Sequence, residues 1–207
     1  MRLAGRLLSA RPLSTSALGG AAASAAAQLT FNTWHSAVTA AMSGAPDEAM
    51  AQLRTRMQPE CIFRPPTYFK PWAGRDETLL LLTAVSEVFG PSFRYKVQSR
   101  ATFPPPRSLT PACTLTASAS SPHHQRQWLS DDGRDWALEF EAQIGESGKT
   151  LHGIDLVNLT DGGLIAELSV LARPPNAVEA LRQEMMRRVP VRLARLKARQ
   201  ALGLAPS

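Results

Sequence analysis

Residues 151–175, LHGIDLVNLTDGGLIAELSVLARPP, constrain this chain more than any other stretch. Two alternating apolar runs flank Asp161-Gly162-Gly163. An Asp-Gly pair between such runs is the strongest short-range signal of a β-hairpin. The strands also carry Asp155, Glu167 and Arg173 among residues that suit burial. A sheet with one face lining a cavity accommodates that mixture.

Two registers are open to this hairpin. A three-residue loop, 161–163, pairs Leu159 with Ile165 and puts Asp155, Glu167 and Arg173 on the face of Leu151, Val157 and Leu171. A two-residue loop pairs Leu159 with Leu164 and puts Glu167 and Arg173 with His152, because a slip of one residue exchanges the whole set. A type I turn followed by a left-handed glycine favours the three-residue loop. In that register Asp155 is a candidate general acid or base if desolvation raises its pKa. Arg173 is a candidate partner for it, or for an anionic oxygen of a ligand. His152 is a second acid–base candidate. Glu167 joins the ligand-facing set.

The first 28 residues have a different character. They contain Arg2, Arg6 and Arg11, many Ser and Ala, and no acid; the first acid of the chain is Asp47. Leu3, Leu7 and Leu8 share one helical face. This is the composition of an organellar transit peptide, with the mitochondrion favoured and the chloroplast as the alternative. The net charge of +6 is unevenly placed: residues 1–46 hold +3 and residues 174–207 hold +5, leaving −2 for the body. A slightly acidic body argues against specific nucleic-acid binding, which needs a basic face on the fold itself. No run of about 18 apolar residues is present, so no membrane span is expected.

The remaining chain reads in order as helices over 29–43 and 47–57 and a short strand at 61–64. An aromatic segment follows with Tyr68 and Trp72, then a leucine-rich helix over 76–89. Strands are expected over 93–103 and 134–144, the latter with Trp136, Leu138, Phe140 and Ile144 on one face and Glu139, Glu141 and Gln143 on the other. After the hairpin comes a helix over 177–189, which Pro190 kinks or stops before a basic tail, 190–207. Residues 104–133 are rich in Pro, Ser and Thr without periodicity, and are expected to be a disordered insertion. His123, His124 and Cys113 match no zinc spacing, and no metal site is assigned. Cys61 and Cys113 are expected to be free thiols.

With the leader and the insertion set aside, the pattern is α+β: helices on one side of a curved antiparallel sheet. Several segments in this order resemble the SnoaL-like branch of the nuclear transport factor two-like superfamily. They are FRPP at 63–66, WAGR at 72–75, FRYKV at 93–97, GIDLVNLTDGGLIAELSV at 153–170 and Ala172-Arg173-Pro174. The resemblance spans residues 29–103 and 134–189. It implies a cone-shaped, cystatin-like roll, a curved sheet wrapped around helices, with a C-terminal helix and a pocket at the wide end. It also implies homodimers through the outer sheet face. Members include cyclases, isomerases and binding modules, so function rests on the pocket. Tyr68 and Trp72 are expected at its rim or wall. No cofactor motif is present. The expectation is a pocket for a small apolar ligand, with cofactor-independent proton transfer on a carbonyl compound; the alternative is a non-catalytic scaffold or accessory subunit.

Overall fold

The computed structural model describes residues 16–96 and 127–203, with side chains from Ala25 and from Trp128 onward. Among the described residues, four α-helices and seven strands make an α+β unit. Helix α1 (Ser16–Met42) and helix α2 (Pro46–Arg54) precede strand β1 (Met57–Arg64). The two-residue β2 (Trp72–Ala73), helix α3 (Arg75–Phe89) and β3 (Arg94–Tyr95) follow. Then come β4 (Gln127–Leu129), β5 (Asp135–Gln143), β6 (Thr150–Leu159), β7 (Ile165–Arg173) and helix α4 (Pro175–Ala201). The curved sheet has the order β2-β1-β7-β6-β5-β3, with β4 also on β5.

The sheet is mixed, not wholly antiparallel as the pattern suggested: β1 runs parallel to β7. These strands are far apart in sequence, so no hairpin imposes antiparallel pairing on them. Alternation on β5 is as read from the sequence. Trp136, Leu138, Phe140, Ala142 and Ile144 are buried beneath the helices, and Glu139, Glu141 and Gln143 face outward.

The β6–β7 turn has the expected three-residue register, with Leu159 opposite Ile165 and Gly163 at φ +74°. Asn158, however, lies opposite Glu167, so Ala166 is an extra residue on β7. Such a β-bulge reverses the facing of every later residue on its strand. Leu168 and Val170 therefore point inward, whereas Glu167, Ser169, Leu171 and Arg173 point out. The expected grouping of Glu167, Leu171 and Arg173 with Asp155 is corrected by this one residue.

Helix α1 is clasped to the same turn. Thr30 Oγ1 donates a buried hydrogen bond to the Gly163 carbonyl at 2.5 Å. A Cβ on Gly163 would lie 2.7 Å from Ala26 Cβ, so glycine is needed both for its backbone angle and for this approach. Ala27 is buried. Ordered packing thus reaches into the segment read as a leader. Gly153 has a similar part inside the sheet: a Cβ there would fall 2.2 Å from the Phe140 ring, which lies across β6 in its place.

Two further differences concern proline and the insertion. Helix α4 continues through Pro190. The carbonyl that proline leaves unbonded, that of Met186, belongs to an exposed residue on the solvent side of the helix. The expected insertion, 104–133, lies outside the described residues as far as position 126, as does Cys113. Its last residues are not loop: Gln127, Trp128 and Leu129 pair with Leu138, Ala137 and Trp136. On the other side, Arg94 and Tyr95 pair with Glu141 and Phe140, and Lys96 N bonds Glu139 O. Strands β3 and β4 are therefore successive halves of one edge strand, and the insertion leaves and re-enters at adjacent positions on β5.

Joining Lys96 directly to Gln127 should restore an unbroken edge strand and leave the unfolding free energy within about 1 kcal/mol of the parent, since loop closure across adjacent ends costs little. Denaturant unfolding measures this, and a loss of several kcal/mol would show that the insertion packs on the body.

Candidate functional site

The helices and the inner sheet face leave a cavity of about 70 Å³. Its wall is apolar almost throughout: Val38 and Met42 from α1, Met50 from α2, Phe63 from β1, Leu168 and Val170 from β7, and Met185 from α4 all contribute. Into this wall β6 projects one carboxyl group, Asp155. A cavity that admits benzene measures roughly 150 Å³, so a ligand of ring size requires the lining to yield. Met42, Met50 and Met185 are the residues suited to that, because unbranched thioether chains repack at low cost.

Asp155 is 7% exposed and, among the described residues, has a single hydrogen-bond partner. The Tyr95 hydroxyl donates to Asp155 Oδ2 at 2.8 Å. Tyr95 in turn accepts from Trp34 Nε1 at 2.8 Å. Three elements, α1, β3 and β6, thus meet in one relay. Burial pushes the Asp155 carboxyl up from 3.8 to about 7, and the Tyr95 bond opposes part of that rise. Burial, with the neighbouring Asp155 charge, holds the Tyr95 hydroxyl well above its usual range, so it remains a neutral donor. His35 stands beside the relay, with its ring 5.0 Å from Tyr95 and 4.5 Å from Phe31. Burial lowers its pKa, which keeps the ring neutral, and Nε2 has no hydrogen-bond partner among the described residues.

The other residues singled out from sequence are elsewhere. His152 is on the outer face of β6, partly exposed, with Nδ1 3.6 Å from Glu141 Oε2. Glu167 is also outside, where it accepts from Arg64 Nε at 2.7 Å and from Ser169 Oγ at 3.2 Å. Arg173 is exposed at the end of β7, across from His152. It lies on the opposite face of the sheet from Asp155, so the expected ion pair between them does not form. Tyr68 and Trp72 pack edge to face at 5.5 Å, and the Tyr68 hydroxyl donates to Met186 Sδ at 3.9 Å. They fasten the segment after β1 to α4, next to the cavity-lining Pro66 and Thr67. Of the expected set, Asp155 alone reaches the cavity wall.

Trp34 and Tyr95 were the residues missed. Trp34 reads from sequence as one more apolar position on α1, and Tyr95 as one alternating position in a strand. Their signal is the polar tip that each carries on an otherwise apolar face, since a buried indole N–H or phenol O–H needs a partner.

A curved α+β sheet around an apolar cavity with one buried acid defines a class of fold, and the comparisons give it a family. Neither a family model nor a curated protein matches the sequence. Among solved structures, a steroid delta-isomerase from Pseudomonas aeruginosa is 30% identical with a TM-score of 0.57, over 82% of this chain and 96% of that one. A bacterial protein with a cystatin-like fold from Silicibacter pomeroyi is 31% identical with a TM-score of 0.53, over 78% of this chain and 87% of that one. The chain belongs to the nuclear transport factor two-like superfamily. No helix of the described residues is long and apolar enough to cross a membrane.

Asp155 has a definite sign in the pH dependence of stability. Its folded pKa is raised, so the stability it contributes is full below the unfolded value near 3.8 and is lost as pH rises to about 7. The slope over that window is about −1.4 kcal/mol per pH unit for a single proton. Asp155→Asn should remove this slope and make the protein more stable than the parent at pH 8. Urea unfolding at pH 5 and pH 8 measures it, and parallel pH profiles for the two proteins would contradict a buried, titrating Asp155.

Proposed function

We propose that this cavity carries out cofactor-independent proton transfer on a small apolar carbonyl compound, with Asp155 as both the base and the acid. The observation that carries the reading is that one carboxyl, titrating near neutrality, faces an apolar cavity beside a neutral phenol donor. A group with a pKa near the working pH can both take a proton and return it. One shuttling group suits an isomerisation, in which the proton removed from one carbon is delivered to another and nothing leaves. Asp155 takes the proton from the carbon next to the carbonyl, the C–H electron pair passes into a dienolate, the apolar wall excludes water, and Asp155 returns the proton to the γ carbon, which leaves the double bond conjugated with the carbonyl. The likeness to the Pseudomonas aeruginosa isomerase supports the same reaction class.

A β,γ-unsaturated ketone is the appropriate test substrate, because its conversion to the conjugated isomer is read by ultraviolet absorbance. kcat/KM should rise with pH through about 7 as Asp155 ionises. Asp155→Asn should lower turnover by about 10²–10⁴-fold, since the amide keeps the shape but cannot exchange a proton. Undiminished turnover in folded Asp155→Asn would reject the assignment and favour a binding module.

We further propose that the chain is imported into mitochondria and works as a homodimer. Support for import is the acid-free, arginine-bearing N-terminus. Because Ala27 is buried and Ala26 abuts Gly163, processing that preserves the fold cuts before Ala26. Support for the dimer is the outer sheet face, where Trp128, Leu156 and Leu171 are exposed together. Native mass spectrometry of protein recovered from isolated mitochondria reads both. The expected species is twice the mass of a chain lacking part of residues 1–25, and a full-length monomer would refute both proposals.

A further inference from the structure

A second concavity lies away from Asp155, between α2, α3 and the last turns of α4. It measures about 740 Å³, within the range of small-molecule sites. Met50 from α2, Leu79 and Leu80 from α3, and Leu196 from α4 give it an apolar floor. Guanidinium groups stand over that floor. Arg54 is bound by Asp76 at 2.6 Å, and Arg192 is bound by Glu87. Arg195 is exposed and makes no ion pair among the described residues. Asp47, at the start of α2, is the one acid of the lining besides Asp76. The groove therefore sets the guanidinium of Arg195 above a hydrocarbon surface.

We propose that this groove binds a monoanionic alkyl amphiphile, such as a long-chain carboxylate, with its head group on Arg195 and its tail along Met50, Leu79, Leu80 and Leu196. Arg195 matches one carboxylate, in the planar geometry that guanidinium and carboxylate share. The arginine pairs already formed keep the neighbouring charges committed and leave the tail a surface to cover. Met50 is common to this groove and to the Asp155 cavity, so it is the partition between the two sites. An occupied groove is therefore felt at Met50 before any other methionine of the inner cavity.

Dodecanoate, kept below its micellar concentration, is the probe. It is titrated into the full chain carrying ¹³C-methyl methionine, with calorimetry for affinity. The Met50 methyl signal, assigned by its loss in Met50→Leu, should shift, while those of Met42 and Met185, which line only the inner cavity, should stay nearly fixed. Arg195→Glu should weaken binding by about tenfold or more, and dodecanol should bind weaker than dodecanoate by a similar factor. Arg195→Lys should bind more weakly than the parent and more tightly than Arg195→Glu, because it keeps the charge and loses the planar fork, and Asp155→Asn should retain all of the affinity. Equal affinity for dodecanol, full binding by Arg195→Glu, or movement of Met42 and Met185 without Met50 would each overturn the proposal.

Discussion

One extra residue on β7 decides which charges enter the core. Ala166 shifts the β6–β7 register, so that Val170 rather than Ser169 lies opposite Asp155, and Glu167 and Arg173 turn outward. Without the bulge, Glu167 would stand beside Val157 and Arg173 beside Leu151, and the interior would hold a network of three charges. With it, Asp155 is the one buried charged side chain among the described residues. A buried carboxyl with a cation beside it keeps a low pKa, whereas one without is driven toward its neutral form. The titration of Asp155 near neutrality therefore follows from a backbone irregularity some ten residues away in sequence.

The surrounding packing keeps that carboxyl in place without neutralising it. Tyr95 is bonded on one side to Trp34 and on the other to Asp155. Phe93, Phe140 and Phe89 stack around the same end of the sheet, with Phe93 and Phe140 5.3 Å apart. Gly153 gives Phe140 the space to lie there. Helix α1, which supplies Trp34, is held by the bond from Thr30 to the β6–β7 turn. The hairpin thus serves twice: its strand presents Asp155, and its turn anchors the helix that completes the relay. A hydrogen bond from a neutral phenol favours the carboxylate only in part, so burial prevails.

The parts of this arrangement visible in sequence were those set by local pattern. The Asp161-Gly162-Gly163 turn, the alternation on β5 and the leucine-rich α3 are local, and each appears where it was read. Asp155 stood out because a carboxyl in an apolar strand needs a reason. The bulge at Ala166 has no glycine or proline to announce it, and every assignment of face beyond it, from Glu167 to Arg173, was lost with it. The relay was hidden for a different reason. Trp34 and Tyr95 are 61 residues apart and meet only through the tertiary fold. Pro190 reads as a helix end, yet α4 continues, held on α3 by Arg188 and Arg192 against Glu87.

Among the described residues Asp155 is a solitary buried acid, and its proton exchanges near neutral pH. The most direct measurement is a ¹³C NMR titration of the Asp155 carboxyl in the parent and in Tyr95→Phe. The parent should titrate with a midpoint near 7. Tyr95→Phe should move the midpoint upward, because the bond that favours the carboxylate is gone. A midpoint near 4 in the parent, unchanged in Tyr95→Phe, would contradict the account.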